Sequence, residues 1–206
     1  MITRILNLCY WVLRRRRNII RLQIIMAAAA EIKMHGFKFT MNDVTARLHI
    51  SKTSLYGYFP SKSALVAAVI KMVQEDVQRQ EEDIYNDSER SIEDKFQAVM
   101  SVSPALVGPS SDSIYYDLQT TYPEQWRNVE NFRQQRLDRL IALLEKGVSS
   151  RKIKPINFSV LKQLVFFSMN DLFDHTFLVE NNMTYYDAVV SLSKILTRGF
   201  IEEKDI

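Results

Sequence analysis

Few residues in this chain could make or break bonds. There is one cysteine and there are three histidines, and no nucleophile–base signature or phosphate-cradling glycine loop stands beside them. Asp171, Asp174 and His175 have the spacing i, i+3, i+4, which puts three metal-ligating types on one helix face. No partner motif accompanies them, since His35 and His49 lie far back in the chain. The expectation is therefore no metal and no cofactor, with these three residues forming a polar patch where helices pack. The remaining chemistry is recognition, concentrated in positions 40–59, TMNDVTARLHISKTSLYGYF. Thr40 can cap a helix that carries Met41, Val44 and Leu48 on one side. Ser51 can cap a second, which buries Leu55 and Phe59 one turn apart. Two short helices so joined form a helix-turn-helix, whose second member can enter a DNA major groove.

Charge supports an anionic partner. Residues 1–64 hold eleven Lys and Arg against two acidic residues, a net +9, whereas the remainder carries −6. A basic first third on an acidic body fits docking at one end, to nucleic acid or to an anionic membrane. The lone Cys9 leaves no disulfide framework within the chain and fits a cytoplasmic, reducing setting. No apolar run reaches the roughly 18 residues of a membrane span.

The elements that must position positions 40–59 are helices throughout. Gly and Pro number five each, the apolar period is 3.6, and no sustained period of two occurs, so the class is all-α. A first helix is predicted over 18–35, with its alanine run at 27–30 and Gly36 as a left-handed cap. Pro60 and Ser61 stop the second turn-helix member and start a helix to about 85. Five further helices are predicted at 91–106, 112–121, 123–150, 158–181 and 184–203. The last two are apolar on more than one face, which fits a homodimer built on them as a four-helix bundle. Residues 1–13, MITRILNLCYWVL, precede Arg14 to Arg17. They read three ways: a short packing helix, an amphipathic membrane-touching segment, or residues without a role. The arginines read as a solvated run or as an arm that follows phosphates.

From about 18 to 69 the sequence resembles the DNA-binding domain of the TetR family of bacterial transcription regulators. The resemblance rests on an ordered set: Gly36-Phe37, Asp43-Val44, Ile50-Ser51-Lys52, Ser54-Leu55-Tyr56, Tyr58-Phe59-Pro60-Ser61-Lys62 and Leu65. His49 stands where the family often has Gly, and Thr45 where it usually has Ala. The rest of the chain is similar to the family only in layout. The resemblance implies an extension and basic arm over 1–17, a helix-turn-helix domain over 18–64, and an effector-binding and dimerisation body over 65–206. It implies a homodimeric repressor that binds a palindromic operator and is released by a small molecule in the body.

The same resemblance implies the roles of single residues. Lys52, Thr53 and Ser54 stand on the first turn of the recognition helix, where side chains meet base edges. Gly57, a turn further on, offers no side chain, so base contact there is absent or made by close backbone approach. Tyr56, Tyr58 and Lys62 suit phosphate contacts, as does Thr40 at a helix N-terminus. No residue of the body is carried over from the family; from the aromatic and Met side chains themselves, an effector pocket would draw on Phe96, Met100, Tyr115, Tyr116, Trp126, Phe132, Phe166, Met169, Asn170 and Phe173, with His175 as a further polar group. The same aromatics at helical spacing also read as plain core. An enzyme is not expected. The alternative to a regulator is an all-helical membrane-surface or scaffold protein that uses the basic first segment.

Overall fold

Helix-forming residues run without Gly or Pro from position 2 to position 35, and the backbone follows them. The computed structural model describes residues 2–106, 112–168 and 175–200, with 2–16, 112, 113, 115, 175 and 200 described by backbone alone. Helix α1 spans Ile2–His35 as one element, about 51 Å long at 1.5 Å per residue. It does not begin near 18 as the apolar period predicts, because nothing in 2–17 breaks a helix. Gly36 then turns left-handed at φ +58, and a single 3₁₀ turn, Gly36–Lys38, leads on.

Helices α2 (Met41–Leu48) and α3 (Lys52–Tyr58) follow, then α4 (Lys62–Asn86). Next come α5 (Ile92–Met100), α6 (Asp112–Thr121) and α7 (Pro123–Ser149). The described chain closes with α8 (Phe158–Phe167), α9 (His175–Glu180) and α10 (Tyr185–Phe200). There is no strand among the described residues, so the fold is all-α. Two predicted bounds change. The helix expected over 91–106 ends at Met100, before Pro104, whose ring disfavours helical backbone at the residue preceding it. The helix expected over 158–181 is described as α8 and α9, and residues 169–174 between them lie outside the described residues.

Apolar burial is divided between two clusters. The first joins Ile24, Ala28 and Ile32 of α1 to Val44, Leu55 and Phe59, and is sealed by Leu65, Val66 and Val69 of α4 and by Leu118 of α6. The second gathers Phe96, Val99 and Met100 of α5 with Leu137, Leu140 and Leu144 of α7, Val165 of α8 and Val189 of α10. Helix α4 links them, its first turns packing in the first cluster while Ile84 and Tyr85 pack against the second. A buried ion pair fastens it to α7: Arg136 Nε lies 2.6 Å from Oε1 of Glu81, which is only 1% exposed. Burial pushes the nearby Tyr85 phenol up to about 12.

Candidate nucleic-acid interface

Positioning begins with caps. Thr40 and Asp43 form a capping box: the Asp43 N–H donates to Thr40 Oγ1 at 3.3 Å, and the Thr40 N–H donates to Asp43 Oδ2 at 2.6 Å. The Thr40 hydroxyl also donates to Asp43 Oδ2 at 2.9 Å. These bonds from Thr40, the backbone one foremost, hold the Asp43 carboxyl below its usual range. They also occupy the hydroxyl expected to meet phosphate, and set a carboxylate beside it. The turn then depends on His49, at φ 53 and ψ 40, whose N–H donates back to Ala46. His49 thus takes the left-handed conformation that glycine takes most easily, and its side chain is exposed. Ser51 caps α3, its Oγ accepting from the Ser54 N–H at 3.1 Å.

Helix α3 is anchored from one side only. Leu55 is fully buried and Phe59 nearly so, as the sequence predicts. Lys52, Thr53, Ser54, Tyr56 and Gly57 are exposed, so the outer face of the helix is free to contact another molecule. Tyr58 is half-buried and packs against the first cluster. Lys62 is half-buried as well. Its Nζ donates to the Phe37 carbonyl at 2.5 Å and stands 4.5 Å over the Phe39 ring, and burial pushes its pKa down. That is a packing role which the sequence reading did not include.

Three further cations belong to this region: Arg17, the last of the arginine run, and Arg21 and Arg47, which lie outside the expected set. The Arg21 guanidinium lies 5.0 Å from the Phe59 ring and that of Arg17 lies 6.0 Å from the Tyr58 ring, so α1 lays two exposed charges beside the end of α3. For Arg21 the available signal was its spacing of four residues from Arg17 on a helix. The third, Arg47, ties α2 to α1 through the buried Glu31, with Nε 2.6 Å from Oε1, while His35 Nε2 stands 3.7 Å from the same carboxylate. The side chains of Arg14, Arg15 and Arg16 lie outside the described ones.

Comparison with known proteins decides what these two helices are. Residues 24–69 match the family model described as bacterial regulatory proteins, tetR family. That stretch of the chain is a DNA-binding domain of the tetR type. The chain that carries it is similar over most of its length to DNA-binding transcription regulators. YvaF of Bacillus subtilis strain 168, described as an uncharacterized HTH-type transcriptional regulator, is 25% identical over 174 residues, covering 84% of this chain and 92% of that protein. A TetR-family regulator structure from Cytophaga hutchinsonii superposes with a TM-score of 0.69 at 16% identity, over 92% of this chain and 98% of that one. The ketosteroid regulator KstR2 of Mycobacterium tuberculosis gives 0.59 at 16% identity, over 89% and 95%. At such identities the two structures establish a shared TetR-type fold.

Of the residues expected to form an effector pocket, the described ones do not gather at one place. Phe96, Met100 and Phe166 belong to the second cluster, whereas Trp126 packs against the first. Tyr116 is 67% exposed, and Phe132 lies 5.9 Å beneath the Arg136 guanidinium. Met169, Asn170, Phe173, Asp171 and Asp174 lie outside the described residues, as do the side chains of Tyr115 and His175. Among the described residues no group of three metal-ligating side chains gathers, and no helix is long and apolar enough to cross a membrane.

Proposed function

We propose that this protein is a ligand-responsive repressor of the TetR type that acts as a homodimer on a palindromic operator. The observation that carries the proposal is the free outer face of α3, presented by a helix whose inner side is locked by Leu55 and Phe59. Lys52, Thr53 and Ser54 read base edges, and Tyr56 and Tyr58 contact phosphates. Lys62 acts at the same border, whereas Thr40 serves the cap of α2. Arg17 and Arg21 extend the phosphate contacts along α1. In this reading residues 1–17 are an extension and arm, 18–64 the reading head, and 65–206 the regulatory body.

Dimer formation is supported by α8. Leu161 and Val165 are buried, while Val160, Leu164 and Phe167 are exposed at spacings i, i+4 and i+7 on another side of the helix. Ile195 of α10 is exposed too. An apolar stripe of this kind suits pairing with the same stripe of a second copy. The paired heads would then present their α3 helices about 34 Å apart, one turn of DNA. The effector would enter the body near Phe96, Met100 and Phe166 and shift the separation of the heads through α4. The protein does its work in the cytoplasm, without catalysis.

The test is operator selection with the purified full-length protein from random duplex. Enrichment of a palindrome with half-sites one helical turn apart supports the proposal, and failure to enrich any palindrome rejects it. Repeating the selection with candidate small molecules tests the release step.

A further inference from the structure

Glycine usually has a reason within its own chain. Gly36 needs its φ of +58, and a Cβ on Gly147 would stand 3.0 Å from Ile92 and Ile153. Gly57 has neither reason. Its backbone is helical, and a Cβ built on it meets nothing within 4 Å. A helical glycine is less stable than alanine because it loses more backbone freedom on folding. Gly199 is equally open, but it lies on α10 in the body, whereas Gly57 lies on the face that carries Lys52, Thr53 and Tyr56. Folding therefore gains nothing from the bare position, and Gly57 is open towards whatever docks on that face.

We infer that Gly57 determines specificity by leaving a hollow on the last turn of α3, into which the edge of a base pair seats against the helix backbone. This inference rests on the DNA reading given above. With Thr53 one turn earlier, α3 would read with side chains at its start and with bare backbone at its end. A methyl group at 57 would hold the helix away from the groove floor just where side-chain contacts stop. Phosphate contacts made by Arg17, Arg21 and Tyr56 at the flanks have reach enough to survive such a displacement, so loss should fall on the specific complex.

The test compares the wild type with Gly57→Ala, and uses thermal unfolding together with binding to the selected operator and to an unrelated duplex of equal length. Alanine should raise the melting temperature by about 1–4 °C. It should weaken operator binding by about tenfold or more, and leave the unrelated duplex unchanged. Unchanged operator affinity, an equal loss on both duplexes, or a lowered melting temperature would each overturn the inference. Wild-type protein that enriches no palindrome would reject the DNA reading itself, whereas intact wild-type selection with an indifferent Gly57→Ala rejects only this inference.

Discussion

His49 is the one residue of the turn held in a conformation that its type does not favour. At φ 53 its Cβ crowds the following carbonyl, a cost of about 1–2 kcal/mol for an ordinary L-residue. Replacing His49 with Gly should therefore stabilise the protein, by up to about 1 kcal/mol in denaturant unfolding; a loss of stability would show that the imidazole makes an interaction worth more than the strain. Arg21 and Lys62 form a second contrast. Arg21→Ala should weaken binding to all duplexes alike and flatten the dependence of log affinity on log salt by about one phosphate's worth, with only a small fall in melting temperature from the lost contact with Phe59. Lys62→Ala should flatten the slope similarly but lower the melting temperature more, because Lys62 Nζ bonds the Phe37 carbonyl. A changed base preference in either variant would contradict a phosphate role.

Caps dominate at the scale of the element, because α2 and α3 are only eight and seven residues long and cannot stand alone. Thr40→Ala should cost about 1 kcal/mol. The capping box also gives α2 a dependence on pH. The folded carboxyl of Asp43 titrates below its unfolded value, so its contribution is complete above the unfolded pKa near 4 and disappears as pH falls through the lowered folded value. Acid unfolding curves of the wild type and of Asp43→Ala should accordingly converge below about pH 4. Curves that stay parallel down to pH 2 would mean the carboxylate adds nothing to the cap.

For the whole molecule, the first cluster is closed by α4 and by Leu118 of α6, and Phe37 stacks at 5.6 Å against Tyr122. The reading head thus shares its core with helices outside the stretch 18–64. A shift of α4 or α6 would therefore disturb the packing beneath α3. The Glu81–Arg136 pair fixes the other end of α4 to α7, so α4 is the element through which the proposed release step would run. The exposed stripe of α8 gives the corresponding prediction for assembly. Leu164→Asp places a charge at a residue 46% exposed in the single chain, so the fold should survive. Under the proposed homodimer, sedimentation should show a dimer for the wild type and a monomer for the variant, with operator affinity falling sharply; a variant that stays dimeric would move the interface elsewhere.

What the sequence by itself determined is local. Helix periods, the stop at Pro60, the caps at Thr40, Ser51 and Ser61, and the inward Leu55 and Phe59 all follow from residue types within one or two turns. The divided charge and the ordered set from Gly36 to Leu65 were legible for the same reason. Tertiary structure decided which neighbours those residues would meet. It set Lys62 on a carbonyl 25 residues away, brought Arg21 to Phe59, and divided the aromatics expected in one pocket between two clusters. A sequence period specifies which side of a helix is apolar but not which helix will cover it. Contacts across long separations depend on how all the helices share a limited interior, and that is settled only when they pack together.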